Sequence, residues 1–156
     1  MKKYIRAIVA TVCCVIAVTA CDKNKGDDGR IENLKLAGDW GLVTWEDDEV
    51  SGIFSVYMRL QENGRFELYQ QLTTSWYEKL TGSYKDSDGT LSGRYSDGEP
   101  WVSSYDYELS ADGNRLVLTS QSEGHERSVY ERTSIPSDIV VKPYTKSEVE
   151  SVRRVL

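Results

Sequence analysis

From residue 36 to about residue 134 the chain alternates apolar and polar positions with a period of two, in short runs separated by turn dipeptides. Such alternation places one face of a β-strand in a core and the other in water. Eight strands are predicted. The first, about 38–45, opens on Gly38-Asp39-Trp40, and the second, about 52–61, carries Phe54, Val56, Met58 and Leu60 on one face. The third, 65–72, turns Phe66, Leu68 and Leu72 inward; the fourth, 75–85, aligns Leu80, Gly82 and Tyr84. The fifth, 90–95, aligns Leu91, Gly93 and Tyr95; the sixth, 101–109, carries Trp101, Ser103, Tyr105, Tyr107 and Leu109. The seventh, 115–121, pairs Leu116 with Leu118, and the eighth, 126–132, turns Tyr130 inward between Ser128 and Arg132. The dipeptides Asn63-Gly64, Asp88-Gly89, Asp97-Gly98, Asp112-Gly113 and the less typical Glu123-Gly124 punctuate these runs. They supply the positive φ angles of tight hairpins.

Strands joined in this way form an antiparallel up-and-down meander. Eight of them can close into a barrel, which removes both exposed edges. Closure requires the last strand to pair with the first; an open sandwich is the alternative. The tail, 135–156, begins at Ile135-Pro136, and Pro136 and Pro143 oppose regular pairing. Thr145-Lys146-Ser147-Glu148 then has capping-box spacing before Val149, Val152 and Leu156, which predicts a short C-terminal helix. Its apolar stripe would pack on the barrel wall or bind a partner.

The segment before the barrel has a different character. Lys2, Lys3 and Arg6 precede an uncharged, mostly apolar stretch from Ala7 to Ala20 that is short for a membrane span of ~20 residues, so 1–20 reads as a signal peptide. Its end, Val18-Thr19-Ala20-Cys21, resembles the lipobox of bacterial lipoproteins. That resemblance implies cleavage before Cys21 and acylation of its sulfur and amine, with palmitate-type chains holding the protein in the outer membrane, on the periplasmic face or at the cell surface. Cys13 and Cys14 leave with the signal, so the mature domain would have no disulfide and no cysteine metal site. Residues 21–35 are charged and poor in apolar side chains, as in a flexible tether. Asp27-Asp28 resembles the acidic patches that mark surface export in lipoproteins of Bacteroidota. The full chain has 19 basic and 25 acidic residues; loss of Lys2, Lys3 and Arg6 leaves 16 against 25, a net charge of −9. An acidic body repels phosphate, which argues against a nucleic-acid partner.

Gly38-x-Trp40 at the start of the first strand resembles the Gly-x-Trp signature of lipocalins, and Arg132 sits where that family places an arginine over the tryptophan ring. With Asn63-Gly64-x-Phe66, Gly82-x-Tyr84, Leu91-x-Gly93 and Tyr130-x-Arg132, the region 36–134 resembles the small lipocalin-like (calycin-type) barrel lipoproteins of Bacteroidota. The resemblance implies a barrel whose end is closed by Gly38, Trp40 and Arg132, and a small apolar or amphipathic ligand. The strands and loops are shorter than in a full lipocalin, which argues against a roomy cavity.

Candidate chemistry is sparse. His125 is the single histidine and lies in a predicted turn, and no nucleophile elbow accompanies it. Glu46-Asp47-Asp48-Glu49 and Asp86-x-Asp88-Gly89 read as a solvated loop and a turn rather than calcium sites. No enzyme activity, metal or cofactor is expected. Aromatics say more: four Trp and ten Tyr against two Phe favour rings that carry a polar atom. Trp76, Tyr84, Tyr95, Trp101, Tyr105 and Tyr107 gather in the fourth to sixth strands and are the candidate ligand contacts. A continuous void above ~300 Å³ would favour a ligand site. A filled interior would favour an interaction protein that binds an envelope protein and holds no small ligand.

Overall fold

A computed structural model of the chain describes residues 35–46, 48–49, 54–142 and 154–156. The predicted signal peptide, Cys21, most of the predicted tether and most of the predicted C-terminal helix lie outside the described residues. Among the described residues ten strands form one sheet: β1 (Gly38–Trp45), β2 (Asp48–Glu49), β3 (Ser55–Leu60), β4 (Arg65–Gln71), β5 (Tyr77–Ser87), β6 (Thr90–Tyr95), β7 (Tyr105–Leu109), β8 (Arg115–Ser120), β9 (Arg127–Arg132) and β10 (Val141–Lys142). Eight of them close a barrel in the order β1-β3-β4-β5-β6-β7-β8-β9, with β9 returning antiparallel to β1. The expected closure is therefore present, with Trp40 opposite Arg132 and Leu42 opposite Tyr130. β2 folds back on the end of β1, and β10 adds in parallel to the start of β5. That tail strand was not legible from the sequence, because two residues are too few to show a period.

The inward faces follow the alternation. Trp40, Met58, Leu68, Leu91, Leu116, Leu118 and Tyr130 are fully buried in a single core. Gln70 continues the inward row of Phe66 and Leu68 and is also buried, although it is polar. One end of the barrel is made of tight connections, 61–64, 88–89 and 110–114. Asp88 and Gly89 both have positive φ, 53° and 85°, as a two-residue primed turn requires. The opposite end carries the longer connections 72–76, 96–104 and 121–126. In the last of these the left-handed residue is His125, at φ 46°, and not Gly124.

The sixth barrel strand starts at Tyr105 and not at Trp101, as the alternation had indicated. Residues 96–101 turn back along β6: the Trp101 N–H donates to the Gly93 carbonyl at 2.9 Å, and Arg94 bridges to Pro100. β7 meets β6 at only two pairs, Thr90 with Asp106 and Leu91 with Tyr105. The outer wall carries a charged ladder. Asp39 receives two hydrogen bonds from the Arg59 guanidinium, at 2.6 and 2.9 Å, and Lys79 donates to Glu67 at 2.8 Å.

Candidate functional site

The tight end of the barrel is sealed by Trp40 and Arg132. The Trp40 indole N–H donates to the Leu36 carbonyl at 2.9 Å, and the Arg132 guanidinium lies 4.4 Å from the centre of the indole ring. The same guanidinium donates to the carbonyls of Ala37 (2.8 Å), Lys35 (2.9 Å) and Gly113 (2.6 Å). It thus ties the entering chain, the β7–β8 turn and the ring together. Gly38, at φ 140°, is where the guanidinium crosses the backbone, and a methyl group there would collide with it. Gly38, Trp40 and Arg132 thus stand together at this end.

The predicted ligand contacts are divided between three places. Tyr84, Tyr95, Trp101 and Tyr105 are in the core, none more than 7% exposed. Phe66 meets Tyr95 and Trp101 edge to face at 5.5 and 5.2 Å, and Trp101 meets Tyr105 at 6.1 Å. Gly93 lies against the face of the Trp101 indole; a methyl group there would overlap the ring. The indole N–H of Trp101 is buried without a hydrogen-bond partner among the described residues. Burial pushes the phenol of Tyr84 up to about 12 and that of Tyr105 up to about 12, and it raises Tyr95 and Tyr130 further. Tyr107 points to the tight end, where its hydroxyl donates to Asp86 at 2.6 Å. Trp76 lies beside the tail, with the Lys142 ammonium 3.4 Å from the centre of its ring.

The open end holds a recess that the sequence reading missed. It measures about 240 Å³ and is lined by Trp45, Glu46, Phe54, Leu72 and Val155. Trp45 and Phe54 meet edge to face at 6.1 Å, and both are partly exposed beside the core. Strict alternation from Trp40 and Leu42 would turn Trp45 outward. A β-bulge between Leu42 and Thr44 shifts the register, so Trp45 stands opposite Ser128, which is buried on the inner side. A second, shallower depression of about 410 Å³ adjoins it through Glu46 and is lined by Gly124, His125, Glu126 and Arg127. His125 is exposed there, as expected of a turn residue, with Nδ1 3.3 Å from the Ser120 carbonyl oxygen. Among the described residues no group of His, Cys, Asp and Glu is placed to hold a metal ion, and no helix is long and apolar enough to cross a membrane.

These features define the class: a closed eight-stranded antiparallel barrel with a tryptophan–arginine seal, which is the lipocalin-like fold. Among solved structures the chain is similar to a lipocalin-like protein from Bacteroides uniformis, with a TM-score of 0.50 and 17% identity over 64% of this chain and 99% of that one. It also matches an uncharacterised protein from Bacteroides eggerthii, with a TM-score of 0.46 and 17% identity over 63% of this chain and 99% of that one. At that identity the first likeness shows the fold alone. No protein-family model matches this sequence, and neither does any curated protein.

Proposed function

We propose that the chain is an outer-membrane lipoprotein, anchored through acylated Cys21, whose lipocalin-like barrel binds a small apolar or amphipathic ligand at its open end. The observation that carries this reading is the recess of about 240 Å³ walled by Trp45, Phe54 and Leu72. Aromatic and aliphatic side chains left partly exposed in a concave place gain most from burying a ligand's apolar surface, at ~25 cal/mol per Å². Tyr84, Tyr95, Trp101 and Tyr105 belong to the core and are not among the walls of the recess. Native mass spectrometry of protein purified from its own host tests the reading: a retained small molecule is expected, and Trp45→Ala should lose it. Trp45→Ala protein that retains the ligand as well as the unaltered protein would refute it. Acylation is tested separately by the mass of the amino-terminal peptide, which Cys21→Ser should leave unmodified.

One observation favours a second reading. Among the described residues the inward side chains pack into one core, and the recess falls below the ~300 Å³ of most drug-sized sites. A filled barrel that binds an envelope protein would need no cavity. Cross-linking in intact cells separates the two: a single protein partner recovered at stoichiometric yield, with no retained small molecule, supports the interaction protein.

A further inference from the structure

Residues 154–156 lie at the open end, with Val155 and Leu156 buried there. Leu156 is 1% exposed and Val155 is 6% exposed, both within the barrel's core cluster. The barrel meets each of the three residues with a matching group. The Tyr95 hydroxyl donates to the Leu156 carbonyl at 2.6 Å, and the Val155 N–H donates to the buried Gln70 amide oxygen at 3.3 Å. The Arg154 guanidinium stacks 4.4 Å from the centre of the Tyr95 ring and pairs with Asp97 at 2.5 Å. Val155 is at the same time one wall of the open recess.

The open end is therefore already occupied by an apolar segment with an acceptor oxygen. We propose that segment 154–156 is an internal occupant of the ligand site, and that the ligand displacing it is an uncharged single-chain amphiphile with an acceptor oxygen at the head of its apolar chain. This rests on the ligand-binding reading above and identifies the ligand class. The apolar chain takes the volume of Val155 and Leu156. Vacating a buried leucine alone frees on the order of 150 Å³, which carries the recess past the ~300 Å³ floor for small-molecule sites. An ester or amide carbonyl takes the place of the Leu156 carbonyl on Tyr95. Burial raises the Tyr95 phenol, so it remains a donor at neutral pH. Charge selects the head group: Glu46 lines the recess, and Asp97 loses its Arg154 partner when the segment leaves. A free carboxylate would face both acids without Arg154, the cation that leaves with the segment, whereas a glycerol ester would not.

Self-occupancy reduces the apparent affinity to the intrinsic affinity multiplied by the fraction of time the site stands empty. Loosening the segment must then tighten ligand binding. The probe is 1-monolauroylglycerol, titrated against the purified protein below its aggregation concentration and followed by tryptophan fluorescence, with laurate as the charged comparison. Arg154→Ala should bind the glycerol ester about tenfold more tightly than the unaltered protein, equivalent to ~1.4 kcal/mol, the scale of one cation–π contact and one ion pair. Leu156→Asp should bind at least as tightly; if it fails to fold, Arg154→Ala decides alone. In the unaltered protein the ester should abolish hydrogen-exchange protection of the Val155 amide. Equal affinity in all variants with Val155 still protected would overturn the proposal and leave ligand binding standing. Absence of ester binding even where Arg154→Ala exposes the Val155 amide would overturn the ligand reading itself, and this proposal with it. Laurate binding as tightly as the ester would overturn the assigned head group.

Discussion

Replacement of Arg132 by alanine tests the seal that joins the first and last strands. The side chain donates three hydrogen bonds to backbone carbonyls and covers one face of Trp40. Arg132 is itself exposed, so the three carbonyls can turn to water once it is gone. Each bond then stands at about 0.5–1 kcal/mol, the lower part of the range for an ordinary hydrogen bond because all partners can return to water, and the cation–π contact at about 0.5–1 kcal/mol. Together they give a loss of about 2–4 kcal/mol, which lowers the melting temperature of a domain of ~100 residues by at least ~8 °C. Urea unfolding provides the assay: the midpoint should fall while the slope stays constant, because the surface exposed on unfolding is unchanged. Arg132→Lys provides the control. An ammonium can stay over the ring but cannot reach three carbonyls with a planar fork, so it should recover no more than the cation–π share. Loss of less than ~0.5 kcal/mol in Arg132→Ala, or full stability in Arg132→Lys, would refute the claim that this guanidinium holds the barrel's end.

Further measurements probe the core and the charged groups. Trp101→Ala should cost about 3–5 kcal/mol, the range for a buried ring, whereas Trp101→Phe should cost under ~1.5 kcal/mol because it also removes an unpaired buried N–H; denaturant unfolding of both distinguishes core filling from ligand contact. Gly93→Ala should cost about 1–3 kcal/mol by forcing the Trp101 indole off its seat, and a midpoint equal to the unaltered protein's would contradict that packing. The hydrogen bonds from Arg59 hold the Asp39 carboxyl below its ordinary value, so its stabilisation is present above the unfolded value of ~3.9 and is lost as pH falls through the folded one. Arg59→Gln should flatten that part of the acid-side dependence of the urea midpoint. Raised phenols run the other way: burial of Tyr84, Tyr95, Tyr105 and Tyr130 stabilises the fold fully below the unfolded value of ~10 and less as pH rises toward the folded values. Absorbance titration at alkaline pH should show these four ionising together with cooperative unfolding, after the exposed tyrosines.

Period-two alternation and Gly-containing turns suffice to give the number and order of the eight barrel strands, though not the start of the sixth, because which face of a strand is apolar is written in neighbouring residues. The inward rows Val56-Met58-Leu60, Leu80-Gly82-Tyr84 and Leu91-Gly93-Tyr95 were legible for that reason, and so was the pairing of Trp40 with Arg132 that closure demands. Which inward residues fill the barrel and which line its mouth depends on contacts far apart in sequence. Trp101 becomes core because Gly93, eight residues earlier on a neighbouring segment, leaves room for its ring. Trp45 reaches the recess because a bulge against β9 reverses its face, a shift that no local pattern announces. Val155 and Leu156 enter the open end because Gln70 and Tyr95, on two separate strands, present an acceptor and a donor to their backbone. The sequence by itself determined the barrel and its seal, since periodicity and turn geometry are local. The location of the site was decided only in three dimensions, where register, bulge and tail combine.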